Sequence, residues 1–198
     1  MVLEWIKTYK YSFIACFILF VYLYLFFNGY FESIDIIVYK WIHSYMSSSL
    51  TSFMISFTFL GSVIGSIIIC IICIVIHIKK GLWISLHVFI VALINVFIKN
   101  IVQRERPSFI RLVIEKGYSF PSAHAMASFT LFGFISYFLW KKYKYLSCLM
   151  MCFPFLIGIT RIYLGVHYFS DVIAGFLFAF VYLSILIPMC QKHGFTFD

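Results

Sequence analysis

The sequence predicts an all-α integral membrane protein: a bundle of six transmembrane helices with a short amphipathic helix at the membrane interface. Composition is the first observation, since 64% of the 198 residues are hydrophobic and 11% are charged, whereas about a quarter of a soluble domain is charged. The second is that the charges fall in clusters separated by long uncharged runs. The third is that these runs lack the alternating pattern of a transmembrane β-barrel. We expect a single membrane domain over residues 1–198.

Uncharged segments of helical length define the predicted spans, because a spanning helix needs about 20 apolar residues. The spans are residues 11–30, 53–78, 82–103, 120–140, 145–161 and 168–190. The first follows Lys7 and Lys10 and is longer than the core of a signal peptide, so we expect it to be retained. The fifth is short, contains Pro154, and offers Gly158 for close helix packing.

A helical pattern also occurs between the first two spans. Its apolar stripe consists of Ile34, Ile37, Val38, Trp41, Ile42 and Tyr45. Glu32, Asp35 and Lys40 lie off that stripe, on the polar side. The pattern predicts a short helix lying in the interface, either as a surface linker or as a gate for lateral entry of lipid.

The net charge of +8 indicates an anionic partner. No soluble basic domain or arm is present to bind nucleic acid, so membrane lipids or an anionic substrate are the expected partners. The six cysteines all lie in apolar runs. Cys70 and Cys73 form a C-x-x-C without a second ligand pair, so we interpret them as packing residues and expect no disulfide framework.

Basic residues in the loops give the expected topology. One side has eight: Lys7, Lys10, Lys79, Lys80, Lys141, Lys142, Lys144 and Lys192. The other has seven: Lys40, Lys99, Arg104, Arg106, Arg111, Lys116 and Arg161. The second group is concentrated in segments rich in reactive residues, and cations that bind a substrate are poor topology markers. We therefore expect a cell-membrane protein with both termini in the cytoplasm and the polar segments at the outer face.

Three polar segments lie on that outer face, and the first is KNIVQRERP, residues 99–107. Lys99 and Arg106 are seven residues apart, about two helical turns, so a continuing helix would project both from one side. Pro107 restricts the preceding residue to extended geometry, so we expect the helix to end there.

The second segment is FPSAHA, residues 120–125, at the start of the fourth span. Pro121 and Ser122 are typical of helix starts. The free N–H groups and the positive dipole end of such a helix attract anions. Ser122 adds a hydroxyl, and His124 falls in the first turn.

The third segment is TRIYLGVHYFSD, residues 160–171. Gly165 breaks the helix after Arg161. His167 and Asp171 are four residues apart at the head of the last span and share a face. An aspartate bonded to one imidazole nitrogen fixes the tautomer and leaves the other nitrogen free to attack.

Each of these residues alone has a simpler interpretation. The cations could snorkel from helix ends, Ser122 could be an N-cap, and Asp171 could neutralise Arg161. His77 and His87, which have no such neighbours, are interpreted as interfacial residues. Together, however, three cations, two histidines, an aspartate and a helix N-terminus on one membrane face indicate a phosphate site.

This arrangement resembles the type 2 phosphatidic acid phosphatase superfamily, which also contains the vanadium haloperoxidases. The family pattern is K-x6-R-P, P-S-G-H and S-R-x5-H-x3-D. The corresponding residues here are Lys99-x6-Arg106-Pro107, Pro121-Ser122-Ala123-His124 and Thr160-Arg161-x5-His167-x3-Asp171. Thr160 replaces serine and keeps the hydroxyl. Ala123 replaces glycine and keeps the N–H but disfavours a positive φ. A further alternative is therefore that the protein is an inactive member of the family.

The resemblance implies a role for each residue. His167 would be the nucleophile, Asp171 would orient it, and His124 would protonate the leaving oxygen and then activate water. The phosphate-binding groups would be Lys99, Arg106, Ser122, the Ala123 N–H and Arg161. No metal or other cofactor is expected, because magnesium sites need clustered carboxylates and the acids on this face do not cluster.

The expected activity is a metal-independent lipid phosphate phosphatase working at the outer face through a phosphohistidine. Its substrate would be a polyprenyl diphosphate, phosphatidylglycerophosphate or phosphatidate, for recycling of the cell-wall lipid carrier or for phosphatidylglycerol synthesis. One alternative is a lipid phosphotransferase using the same phosphohistidine. Another is a non-catalytic anion-binding protein or transporter, although the repeats and paired broken helices common in transporters are not evident. The sequence indicates no oligomeric state.

Overall fold

This computed structural model describes residues 2–192, with side chains described for residues 9–190. The regular secondary structure in this range is helical. Within that range the α-helices are α1 (Val2–Phe27), α2 (Glu32–His43), α3 (Ser48–Thr58), α4 (Val63–Ile76), α5 (Ile78–Val102), α6 (Ala123–Leu139), α7 (Lys144–Tyr163) and α8 (Phe169–Lys192). A 3-10 turn, Phe59–Gly61, joins α3 to α4. The all-α prediction is confirmed.

The surface and the helix lengths show a multi-pass membrane protein. Within the described residues, α1, α5, α7 and α8 are long and apolar enough to cross a membrane, and α3 with α4 adds a fifth span if the bent pair is counted as one. Large apolar side chains face outward, for example Phe20 at 68% and Val75 at 79% exposure, where lipid can cover them. The 17 residues of α6 extend about 25 Å at 1.5 Å each, less than a typical hydrocarbon core. The count of six spans therefore stays a prediction.

The centre of the bundle is formed by α6, which packs against α5, α7 and α8. Glycines permit this close packing. A Cβ on Gly133 would lie 2.4 Å from Leu183 Cδ1, and one on Gly158 would lie 2.6 Å from Phe176 Cζ. Small residues let membrane helices approach closely and gain van der Waals contact. The predicted close packing at Gly158 is confirmed.

The predicted span over residues 53–78 is not one continuous helix. The chain bends by 55° between α3 and α4. Ser62 adopts extended backbone at the break, and its hydroxyl accepts a hydrogen bond from the Gly65 N–H at 3.1 Å, which caps α4. A Cβ on Gly65 would lie 2.0 Å from the Phe59 carbonyl oxygen, so the tight turn needs glycine there. The prediction of an unbroken helix is wrong because capping by Ser62 wins over the apolar run.

The predicted interfacial helix is α2. Much of its apolar stripe faces outward, with Ile37 65% and Trp41 63% exposed, whereas Ile42 of the same stripe is only 8% exposed. The face packed against the bundle carries Asp35, Tyr39 and Ile42. The sequence places Asp35 on the polar side of this helix, whereas the structure leaves it only 1% exposed. An acid this deeply buried needs a partner, and it finds one in the loop after α5.

Candidate active site

The first site segment begins where α5 ends, at Val102. Gln103 adopts a left-handed conformation, with φ of 50°, and its N–H donates to the Lys99 carbonyl at 2.9 Å. Such a residue terminates a helix by bonding back to its last turn. The predicted span end at residue 103 thus agrees with the structure to within one residue, but the helix does not continue toward Pro107, so Lys99 and Arg106 do not share a helix face. Lys99 comes from the last turn of α5, and Arg106 comes from the loop 103–122.

Backbone carbonyls of that loop hold both cations in place. Lys99 Nζ donates to the Tyr118 carbonyl at 2.6 Å. Arg106 Nε donates to the Gly117 carbonyl at 2.9 Å. Arg106 Nη1 lies 3.3 Å from His167 Nε2. Arg106 thus lies beside His167, and Lys99 lines the same cavity as both of them.

Arg161, near the end of α7, is only 1% exposed. Its Nη1 donates to Thr58 Oγ1 at 3.0 Å, and its Nη2 pairs with Glu115 Oε1. The Nε has no hydrogen-bond partner among the described side chains and backbone. Glu115 is therefore the carboxylate partner of the buried Arg161 guanidinium.

The second segment forms the start of α6 as predicted. Ser122 is the N-cap, and its hydroxyl accepts from the Ala125 N–H at 3.5 Å. Ala123 is the first residue of α6. Its φ is not positive: among the described residues other than glycine, the one with positive φ is Gln103. The alanine in place of the family glycine is thus unstrained, and its N–H lies among the unpaired donors of a helix N-terminus.

The third segment places His167 just before α8. Gly165, with φ of +71°, makes the turn that ends α7. His167 Nδ1 lies 3.5 Å from Asp171 Oδ2, a close contact outside hydrogen-bond geometry, and Nε2 faces Arg106. Burial lowers the pKa of His167 to about 4, although Asp171 acts in the opposite direction. The ring is therefore neutral near pH 7 and keeps a lone pair for attack.

A cavity of about 760 Å³ joins these groups to the apolar part of the bundle. Five of the eight predicted site residues line one part of it: Lys99, Arg106, Ala123, His124 and His167. The other three, Ser122, Arg161 and Asp171, lie behind its wall and are at most 1% exposed. Much of the remaining wall is apolar and comes from α4 and α5, with residues such as Ile67, Ile71, Val88 and Phe89. The cavity thus has a charged end with two histidines and a long apolar arm.

Comparison with known families agrees with this geometry. The pattern of the PAP2 superfamily matches residues 80–195, more than half of the chain and all eight predicted site residues. The chain belongs to the PAP2 superfamily. The family resemblance of the motifs is thereby confirmed.

Individual relatives of this PAP2 protein are phosphatases of lipids by name. Phosphatidylglycerophosphatase B of Bacillus subtilis is 40% identical over 91 residues, which are 42% of this chain and 45% of that protein. Lipid A 4'-phosphatase of Bacteroides thetaiotaomicron is 36% identical over 92 residues, 41% of this chain and 40% of that protein. The chain therefore matches less than half the length of either relative.

A solved structure shares the fold. The crystal structure of a transmembrane PAP2 type phosphatidylglycerolphosphate phosphatase from Bacillus subtilis matches with a TM-score of 0.79 and 24% sequence identity. The match covers 94% of this chain and 98% of that one. The likeness extends beyond the family match to α1, α2 and the bent pair α3 and α4.

Three charged residues of the PAP2 site are missing from the predicted set: Arg104, Asp35 and Glu115. Arg104 bridges Asp35 and Asp171, at 2.9 Å and 2.6 Å, and Glu115 holds Arg161. One signal was available. The chain has seven acidic residues in all, and an ionisable residue within a membrane protein is costly unless it is paired. Asp35 and Glu115 were thus candidate partners for the arginines on the same predicted face of the membrane.

The arrangement can perform phosphoryl chemistry with the groups that it contains. The neutral His167 offers Nε2 to the cavity, and His124 on the first turn of α6 can transfer protons. Lys99 and Arg106 supply positive charge where phosphoryl oxygens would lie. Among the described residues there is no cluster of three or more His, Cys, Asp or Glu side chains that could hold a metal ion.

Proposed function

We propose that this PAP2 protein is a lipid phosphate phosphatase that hydrolyses mono- and diphosphate esters of membrane lipids through a phosphohistidine on His167. The observation that carries the proposal is the cavity. Its lining includes two histidines, three cationic side chains and the Glu115 carboxylate, and apolar residues of α4 and α5 form much of the remaining wall. A lipid phosphate has the same division between an anionic head and an apolar tail. The names of the relatives also favour phosphorylated lipids as the substrate class.

The first proposed step transfers the phosphoryl group to the enzyme. His167 Nε2 attacks phosphorus, so that a P–N bond forms while the bond from phosphorus to the leaving oxygen breaks. His124 gives its proton to that oxygen, which departs as a lipid alcohol or, from a diphosphate, as a lipid monophosphate. Asp171, beside Nδ1, stabilises the positive charge that develops on the ring.

The second proposed step releases the phosphate. A water attacks phosphorus and gives a proton to His124, and the P–N bond breaks to leave His167 neutral. Lys99, Arg106 and the Ala123 N–H would hold the phosphoryl oxygens in both steps. Loss of one such preorganised donor raises the barrier by about 3 kcal/mol.

Three substrates stand as equal candidates: polyprenyl diphosphate, phosphatidylglycerophosphate and phosphatidate. Each combines an apolar chain, suited to the apolar arm of the cavity, with a terminal phosphate, suited to its charged end. The first would place the enzyme in recycling of the cell-wall lipid carrier, and the second in phosphatidylglycerol synthesis.

The proposed topology has both termini in the cytoplasm and the site at the outer face. Ion pairs and hydrogen bonds of the site involve Arg104, Arg106 and Arg161. Because these arginines have a role in the site, they are poor topology markers, and this supports the proposed orientation. Lys7 and Lys192, which enter the same argument, have side chains outside the described residues. A fluorescent protein that matures only in the cytoplasm, fused to the C-terminus, tests the proposal, and a dark but fully expressed fusion would contradict it.

The activity is tested by phosphate release from the three lipids in detergent. We expect His167→Ala to abolish turnover and Asp171→Asn to lower it by at least about 100-fold with folding retained. The partly exposed His43, at the end of α2, provides a matched control, because His43→Ala should keep the wild-type rate. Wild-type turnover by His167→Ala would refute the nucleophile. Transfer to an added lipid or sugar acceptor would identify a phosphotransferase, and phosphate binding without any release would identify an anion-binding protein.

A further inference from the structure

The pair formed by His167 and Asp171 continues into a buried ion network through Arg104 and Asp35, two residues that the family motifs do not specify. Arg104 Nη1 donates to Asp171 Oδ1 at 2.6 Å, and Arg104 Nη2 donates to Asp35 Oδ2 at 2.9 Å. We propose that Arg104, held by Asp35, is a positioning residue that fixes the Asp171 carboxylate against His167. This inference rests on the proposed function, since it concerns the group that orients the nucleophile.

The two oxygens of Asp171 have separate tasks. Oδ1 accepts from Arg104 Nη1. Oδ2 accepts from the Tyr168 N–H at 2.9 Å and lies 3.5 Å from His167 Nδ1. With Oδ1 held by a guanidinium and Oδ2 held by a backbone amide, the carboxylate cannot rotate freely. Its second oxygen therefore stays on the side of the imidazole.

Asp35 completes the arrangement from a different helix. Its Oδ1 accepts from the Ser170 N–H at 2.8 Å, and its Oδ2 accepts from the Ser170 hydroxyl at 2.6 Å. The same Oδ2 receives Arg104 Nη2. Asp35 thus holds both the guanidinium and the residue immediately before Asp171. Through this one side chain, α2 is tied to the first turn of α8.

The surroundings of Arg104 favour a fixed cation. Its guanidinium carbon lies 3.9 Å from the ring centre of Tyr168 and 5.0 Å from that of Phe26. Burial opposes its charge, but the Asp171 and Asp35 carboxylates outweigh burial and raise the pKa of Arg104. Arg104 does not line the cavity, unlike Arg106 two residues later. It therefore acts on the reaction through Asp171 and not on the substrate.

This separation predicts which kinetic constant changes. In Arg104→Gln we expect kcat to fall by about 100-fold, the upper range for loss of a group that orients a reacting residue, while KM stays within about twofold. Arg104→Lys restores the cation without the two-pronged geometry and should recover about tenfold of the lost kcat. Arg111→Gln, the same substitution on the same loop at an exposed arginine, is the matched control and should keep both constants.

A second variant tests the network without removing the cation. Asp35→Asn should lower kcat by about tenfold, whereas Glu32→Gln, an exposed acid on the same helix, should leave it unchanged. In the Arg104→Gln background, Asp35→Asn should have little further effect, because the two residues act as one unit. This variant decides the question if Arg104→Gln fails to give a monodisperse protein in detergent.

The outcomes separate this inference from the proposed function. A kcat above half of the wild-type value in Arg104→Gln or in Asp35→Asn, with His167→Ala inactive, would overturn the positioning role and leave the phosphatase intact. A raised KM at unchanged kcat in Arg104→Gln would also overturn it, since that would indicate contact with substrate. Full activity of His167→Ala would overturn the proposed function itself.

Discussion

Acidification should leave His167 neutral at pH values where an ordinary histidine is protonated. Its side chain is almost wholly buried, and this burial lowers its pKa from 6.5 to about 4, with the Asp171 carboxylate opposing the shift. A lowered pKa means that the ring gives up its proton more readily. The neutral form, which is the form that the proposed mechanism needs, therefore persists down to about pH 4.

The size of the effect follows from the shift. A change from 6.5 to about 4 is about 2.5 units, and at about 1.4 kcal/mol per unit it favours the neutral form by about 3 kcal/mol. At pH 5 an ordinary histidine is about 3% neutral, whereas His167 would be about 90% neutral. Because protonation favours the unfolded chain, the contribution of His167 to stability is complete above about pH 6.5 and is lost as the pH falls toward about 4.

The assay is a titration of the protein labelled with ¹⁵N-histidine, in detergent, from about pH 8 to about pH 4. His167→Gln assigns the resonance by its disappearance. We expect the ring nitrogens of His167 to keep the shifts of neutral imidazole at pH 5. A midpoint near 6.5 would refute the argument from burial, and a midpoint above 6.5 would show that the charge of Asp171 dominates the site.

Three further predictions concern the phosphate site and the helix packing. Glu115→Gln frees Arg161 for an incoming anion and should tighten orthovanadate inhibition by about tenfold; weaker inhibition would mean that Glu115 supports the site. Turnover should continue in EDTA and stop with orthovanadate, because side-chain cations supply the charge, and strict magnesium dependence would contradict this. Gly158→Ala places a Cβ 2.6 Å from Phe176 Cζ and should destabilise the protein by about 1–3 kcal/mol. The measurement is the melting temperature, which should fall. An unchanged melting temperature would show that α7 and α8 separate easily.

The family and the helical class could be predicted because both depend on local patterns. Long uncharged runs predict membrane helices, and the motif spacing from Lys99 to Asp171 identifies the superfamily that the comparison confirms. The predicted third span ends at residue 103, within one residue of the end of α5 at Val102. The separate hypothesis of a helix continuing toward Pro107 relied on proline as the stop signal, whereas the helix ends earlier because Gln103 adopts a left-handed conformation that this residue type rarely takes.

The missed features depend on contacts between distant parts of the chain. The bond between Arg104 and Asp35 joins residues 69 positions apart, and no periodicity reports such a pairing. The break after α3 had a local signal in Ser62 and Gly65, but a long apolar run concealed it. The chemical roles of His167, His124 and the phosphate-binding residues stay predictions until variants are assayed.

Gly61 shows that intolerance to substitution need not follow the catalytic motifs. It lies in the 3-10 turn between α3 and α4, and a Cβ there would lie 2.6 Å from Ile157 Cγ2 and 3.3 Å from His124 Cδ2. Even alanine would press on the imidazole that is expected to handle the leaving group. Screens for enzymes that accept other alcohols as leaving groups could therefore begin at a position that has no functional group at all.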